Sequence, residues 1–118
     1  MSEGTGSNAA HTRLVREACE WLALNRYFAW PNQTGATKTG GRFIRYGKPG
    51  SGDIIAVLPG GRHAEFEAKT GGGTQRKSQR THQKMVEAQG GFYLVFRSVD
   101  DLAVRLGAAS ERAVVEQK

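Results

Sequence analysis

An α/β fold, a central mixed β-sheet flanked by α-helices, is the architecture this sequence predicts, and three observations predict it. Residues 9 to 25 carry apolar side chains at helical spacing: Leu14, Val15, Ala18, Trp21 and Leu22. Residues 54 to 69 form two extended runs about Pro59-Gly60-Gly61, the pattern of an antiparallel hairpin. A helical stretch then leads to the apolar run Phe92 to Phe96, so a strand–helix–strand crossover should add a parallel strand to the same sheet.

Taken in order, Met1 to Asn8 is small and polar and reads as a flexible N-terminus, with Asn8 placed to cap the first helix. Tyr27 to Pro31 is aromatic and brief, a short strand, and Asn32 to Gly35 reads as a loop. A second strand is expected from Arg42 to Tyr46. Lys48-Pro49-Gly50-Ser51-Gly52 cannot continue regular structure, so it forms a turn that feeds the buried strand Ile54 to Leu58. Arg62 to Lys69 alternates apolar and polar residues and returns as the hairpin partner. Thr70 or Thr74 can start the next helix, about Gln75 to Gln89, which Gly90 should end. Ser98 and Asp101 have capping-box spacing for a last helix to about Leu106. A single domain over 9–107 is thus expected, with 108–118 as a tail or short helix.

Composition narrows the function classes. The lone Cys19 excludes an internal disulfide or a thiolate zinc site, and no apolar run is long enough to span a bilayer, so a cytoplasmic chain is expected. The net charge is +6 and unevenly spread. Residues 21 to 52 contain no Asp or Glu but hold Arg26, Lys38, Arg42, Arg45 and Lys48; residues 68 to 86 repeat the pattern with Lys69, Arg76, Lys77, Arg80 and Lys84. Cations without acidic neighbours are what a phosphate-binding surface needs, although a solvated basic face has the same composition. Arg42, Arg45, Lys48, Arg76, Lys77 and Arg80 are accordingly the candidate DNA contacts.

The chemistry is expected at one end of the hairpin, where Asp53 opens one strand and Glu67-Ala68-Lys69 closes the other. A three-residue turn makes Leu58 face Arg62, which places Asp53 opposite Glu67 with Lys69 on the same face. A two-residue turn would send Asp53 to the other face. Two carboxylates at a strand end, with the Ala68 carbonyl as a further ligand, suit magnesium or manganese. Lys69 would orient or deprotonate the attacking water and stabilise charge growing on phosphorus. On the spacing alone, an exposed cross-strand ion pair is the better reading. Its position bordering an apolar run favours chemistry, because burying such charges is costly unless something binds them.

Several stretches together resemble one family, the VRR-NUC branch of the PD-(D/E)xK nuclease superfamily: Asn32-Gln33-Thr34-Gly35-Ala36, the run from Arg42 to Ile55 that ends in Gly-Asp-Ile-Ile, Glu67-Ala68-Lys69, the helix bearing Gln79, and Gly90-Gly91. The likeness covers about residues 9 to 105. It implies a restriction-endonuclease-like fold, metal binding by Asp53 and Glu67, and a catalytic Lys69. Gln79 matches a Gln often kept near the site, its other reading being a solvent-facing amide. Family members usually carry a metal-site Glu in the first helix. Counting back from Trp21 reaches His11 here, on the sheet-facing side, which can ligate manganese or hold a metal-bound water and is equally read as a capping or surface His, with Glu17 at the edge of that face and Glu20 beyond it. The resemblance to stand-alone, phage-type members implies a homodimer cutting branched DNA such as flaps or four-way junctions. The competing expectation is a non-catalytic basic DNA-binding module whose acidic pair is structural. Gly71-Gly72-Gly73 lacks the Gly-Lys-Ser/Thr ending of a phosphate loop and reads as a turn. Cys19, in an apolar helix, is expected in the core rather than as a nucleophile with His82 as its base.

Overall fold

A computed structural model describes residues 3–33 and 35–107. The chain begins with α1 (Glu3–Leu24), longer than the expected 9 to 25, so Asn8 lies inside the helix and does not cap it. Leu14, Ala18 and Leu22, spaced by one turn, are buried along its inner face. The helix ends when Arg26 turns to φ +66, letting its N–H bond the Ala23 carbonyl at 3.0 Å and the Tyr27 N–H bond that of Leu22 at 2.9 Å. That is the hydrogen-bond pattern of a Schellman cap, with arginine where glycine is usual.

Four strands form the main sheet in the order β1 (Phe28–Pro31), β4 (Ile54–Leu58), β5 (Arg62–Ala68), β6 (Phe92–Phe96). The first three are antiparallel and β6 runs parallel to β5, so the sheet is mixed. The crossover between β5 and β6 is α2 (Lys77–Ala88). Its cap is not Thr70 or Thr74. The helix starts after Arg76, because Gln79 reaches back and accepts a hydrogen bond from the Arg76 N–H at 2.8 Å, half of a capping box. Gly90, at φ +86, ends α2 as expected. A last helix, α3, occupies 99–107. Ser98 Oγ accepts the Asp101 N–H at 3.0 Å, and Asp101 reaches back one residue further than expected, to the Arg97 N–H. Residues 108–118 lie outside the described residues, as does the tail expected there.

Between β1 and β4 stands a separate two-stranded ribbon, β2 (Gly35–Thr39) and β3 (Arg42–Tyr46). Asn32 to Gly35 was expected as loop with no strand before Arg42; the ribbon corrects that. Gly40 and Gly41, at φ +57 and +77, form the two-residue turn in which both positions need positive φ. All five residues of β3 are exposed.

The two faces of the main sheet differ. One presents Ile54, Ala56, Leu58, Ala64, Phe66, Ala68, Leu94 and Phe96 to α1 and to Leu102 and Leu106 of α3, a continuous apolar core. The other faces α2 and carries Glu65, Glu67 and Tyr93, all buried, against Gln79 and His82. No helix among the described residues is long and apolar enough to cross a membrane.

Candidate active site

The hairpin turn consists of three residues: Leu58 pairs with Arg62 and Ile54 with Phe66. One step further in that register sets Asp53 against Glu67, and the Ala68 N–H donates to Asp53 Oδ2 at 2.8 Å. A strand residue turns its N–H and C=O to the same side, so the Ala68 carbonyl also faces the Asp53 side of the strand. The Lys69 N–H, by contrast, bonds Phe96 of β6.

Glu67 is fully buried. Its Oε1 accepts from the Tyr93 hydroxyl at 2.5 Å and from Gln75 Nε2 at 3.4 Å. Its Oε2 is ion-paired with the Lys69 ammonium, 3.0 Å away. The same ammonium also donates to Gln79 Oε1, 2.9 Å away. Gln79 thus caps α2 and fixes Lys69 with one oxygen; it is buried, not solvent-facing. The exposed cross-strand ion pair offered by the spacing is absent: the pair formed is Glu67 with Lys69, two residues apart on one strand and inside the protein.

Asp53 is partly exposed and borders an open cleft of about 370 Å³ lined by His11, Val15, Cys19 and Asn32 among others. His11 Nε2 stands 3.3 Å from Asp53 Oδ2. The first helix therefore brings His11 to Asp53, while Glu17 is exposed and Glu20 pairs with Arg16 at 3.9 Å. His11, Asp53 and Glu67 do not converge as a ready cage: among the described residues no group of three or more His, Cys, Asp or Glu is placed to hold a metal ion. What fits a hard cation is the donor set itself. Magnesium is commonly held by one or two carboxylates, with waters and substrate phosphates completing the shell. Glu67 Oε2, a buried carboxylate oxygen beside the Lys69 ammonium, is a hard donor of that kind.

The local field points the same way. Burial pushes the Tyr93 hydroxyl far above the ordinary phenol range, reinforced by its hydrogen bond to Glu67 and by the charges of Glu67, Glu65 and Asp53. One phenol thus senses three carboxylates. Cys19 is half-buried against the core, and burial raises its thiol, which makes it a poor nucleophile.

Sequence reasoning missed three residues. Glu65 is buried, with Oε1 accepting from the Gly52 N–H and facing His82 Nε2, both at 2.8 Å, and Oε2 facing His63 Nε2 at 2.6 Å. Burial raises its carboxyl, but the hydrogen bonds from His63, Gly52 and His82, with the His82 charge, outweigh that and hold it below the usual range. Asn32 donates to Ser51 Oγ and to the Gly52 carbonyl, both at 2.9 Å, bracing the turn before Asp53. Tyr93 reaches the same turn at the Gly50 carbonyl, 3.3 Å away. The only sequence signal for Glu65 was its alternation with Glu67 on one face of a strand too apolar to be an edge.

Among the cations, Arg76, Lys77 and Arg80 are exposed at the start of α2, the helix whose Gln79 holds Lys69. Arg42 and Arg45 stand on the ribbon, where the Arg45 guanidinium lies 5.7 Å over the Phe43 ring, and Lys48 is exposed at the turn leading to Asp53. None of these six forms an ion pair among the described residues, so their charges are free for an external anion. Compared with protein-family models, with curated proteins and with solved structures, the chain matches none of them.

Proposed function

We propose that this protein is a metal-dependent endonuclease with a restriction-endonuclease-like core, hydrolysing phosphodiester bonds of DNA at Asp53, Glu67 and Lys69. The observation that carries the reading is the buried Glu67–Lys69–Gln79 chain facing Asp53 across two strands: a carboxylate and an ammonium held together at a strand end, beside a second carboxylate. Taking Glu67 and Lys69 out of water costs free energy that an apolar pair of the same volume would not.

Asp53, Glu67 and the Ala68 carbonyl would hold Mg2+ or Mn2+, with His11 steadying Asp53 from α1. The bound cation supplies Lewis-acid polarisation of the phosphoryl group and a more acidic water. Lys69, fixed by Glu67 and Gln79, orients the attacking water and stabilises charge developing on the phosphoryl oxygens. Arg76, Lys77 and Arg80 hold the backbone near the site, and Arg42, Arg45 and Lys48 extend that grip along the ribbon. The ribbon, a narrow projecting element, favours duplex or branched substrates over a single strand, since a two-stranded ribbon fits a major groove about 12 Å wide.

A cleavage assay on linear duplex, flap and four-way junction DNA, with and without Mg2+ or Mn2+, tests this. Asp53→Asn and Glu67→Gln should each abolish cutting while DNA binding persists on the basic surface. Normal nicking by either variant rejects the mechanism, and DNA binding in chelator with no cutting under any metal assigns the chain to the non-catalytic binding modules. A homodimer is part of the proposal because cutting a junction on two strands needs two active sites. It is supported by Phe28 and Trp30, whose rings lie 5.2 Å apart on the edge strand β1 and are both exposed. Light scattering at micromolar concentration should report about twice 12.8 kDa; a monomer would leave single-site nicking as the activity.

A further inference from the structure

Glu65 is the most deeply buried charge that the proposed chemistry leaves unused, 4% exposed in a central strand. A carboxylate there costs several kcal/mol unless fully hydrogen-bonded. The bonds it makes join two elements that the site depends on. Oε1 accepts the N–H of Gly52, the residue before Asp53, at 2.8 Å, and meets Nε2 of His82 at the same distance. His82 lies three residues after Gln79 on α2, one turn along the same buried face. One oxygen atom therefore ties the turn that presents Asp53 to the helix that presents Gln79 and, through it, Lys69.

The surroundings leave that tie little slack. A Cβ on Gly52 would sit 3.0 Å from Glu65 Cβ and from the backbone of Phe66, so the turn lies directly on β5. His63, half-exposed, meets Oε2, the oxygen that bonds neither Gly52 nor His82.

We propose that Glu65 is a positioning residue, whose Oε1 sets the separation between the carboxylate of Asp53 and the ammonium of Lys69 by holding Gly52 and His82 together. This inference rests on the nuclease reading above. Position matters here rather than charge. A glutamine would keep an acceptor at the Oε1 place for both Gly52 and His82, and its amide would meet His63 in the tautomer that accepts at Nε2.

The test compares Glu65→Ala, Glu65→Gln, His82→Ala and His63→Ala with the wild type. Folding is checked by circular dichroism, Mn2+ binding to the DNA-free protein by calorimetry, and kcat and KM on the best-cut DNA. Glu65→Ala should weaken Mn2+ binding and lower kcat about tenfold or more, the scale of one lost hydrogen bond to a charged group, with KM unchanged because the basic surface is intact. Glu65→Gln should restore both to near wild type, and His63→Ala should leave both alone. His82→Ala, which keeps the Gly52 bond, should lower kcat while Mn2+ binding holds. A folded Glu65→Ala with wild-type affinity and kcat overturns the proposal, as does a Glu65→Gln as impaired as the alanine. If Glu65→Ala does not fold, His82→Ala decides: unchanged kcat overturns the tie and a lowered one upholds it. A wild type that neither binds Mn2+ nor cuts DNA sinks the nuclease reading and this one with it, whereas full activity in both wild type and Glu65→Ala sinks only this one.

Discussion

Gly50 and Gly60 offer a matched pair of substitutions that measures how firmly the Asp53 turn is seated. Both glycines have left-handed backbones, φ +86 and φ +85. Replacing either by alanine incurs the same conformational penalty, about 1–2 kcal/mol, and the same partial offset from a less flexible unfolded chain. Their surroundings differ. Around Gly60 no atom lies within 4 Å of an added Cβ, whereas at Gly50 that Cβ would overlap the Ser78 carbonyl oxygen, lie 2.7 Å from its carbon and 3.1 Å from His82 Cβ. Ser78 is backbone in the first turn of α2, and no rotamer change relieves the overlap.

Gly50→Ala should therefore be less stable than Gly60→Ala by the overpacking cost alone, about 1–3 kcal/mol. In a chain of 118 residues that difference corresponds to about 4–12 °C in Tm. Urea unfolding of the two variants and the wild type, followed by tryptophan fluorescence, gives the comparison directly. Only Gly50→Ala should also lose cleavage, since only there is the turn pushed off the helix that carries Gln79. Equal stability of the two variants would refute the seating of the turn on α2, and with it the argument that the two halves of the site are held by packing.

Two further outcomes follow from charge. Glu65 has its folded pKa held below the ordinary 4.5, so its stabilising effect is fully present above that value and is lost as pH falls through the lower folded value. Unfolding free energy measured by urea titration across the acid range should drop below about pH 4.5 in the wild type more steeply than in Glu65→Gln, and parallel profiles would show that Glu65 is not ionised in the fold. Replacing Arg42, Arg45 and Lys48 together by alanine should flatten the slope of log K against log salt for duplex binding by up to about 2.7, that is about 0.9 for each lost phosphate contact; an unchanged slope would take the ribbon out of the interface.

Much of the fold was legible because it follows from periodicity and turn chemistry. The alternation in Arg62 to Lys69, with a Pro-Gly-Gly turn before it, marked the hairpin; its register hung on the length of the turn, and the three-residue turn places Asp53 against Glu67. Gly90 marked the end of α2 for a local reason: only glycine takes φ +86 without strain there. Where the signal was non-local, it failed. The start of α2 is set by Gln79 reaching back to Arg76, and a side chain three residues inside a helix leaves a weaker mark than a Ser or Thr before it. The β2 strand went unread because Gly35, Ala36 and the threonines have little apolar alternation; the Gly40-Gly41 pair was the available sign of a ribbon. In the site, Asp53, Glu67 and Lys69 could be singled out by spacing, but Glu65 could not. Its partners come from residues 52, 63 and 82, and only the fold brings them together.

That failure exposes the physical division in this protein. The sheet face toward α1 and α3 holds the chain together with apolar burial, as Ile54, Phe66, Leu94 and Phe96 against Leu14, Ala18 and Leu22 require. The face toward α2 holds Glu65, Glu67 and Tyr93 in a place where leucines would be more stabilising. A buried polar face persists in a small domain only if each group is satisfied or serves a ligand. Glu65 meets the first condition, with three donors placed on its two oxygens. Glu67 meets it through the Tyr93 hydroxyl, the Gln75 amide and the Lys69 ammonium. Gln79 holds the far side of the same ammonium while it caps α2, so one side chain joins the buried ion pair to the start of the helix that covers it.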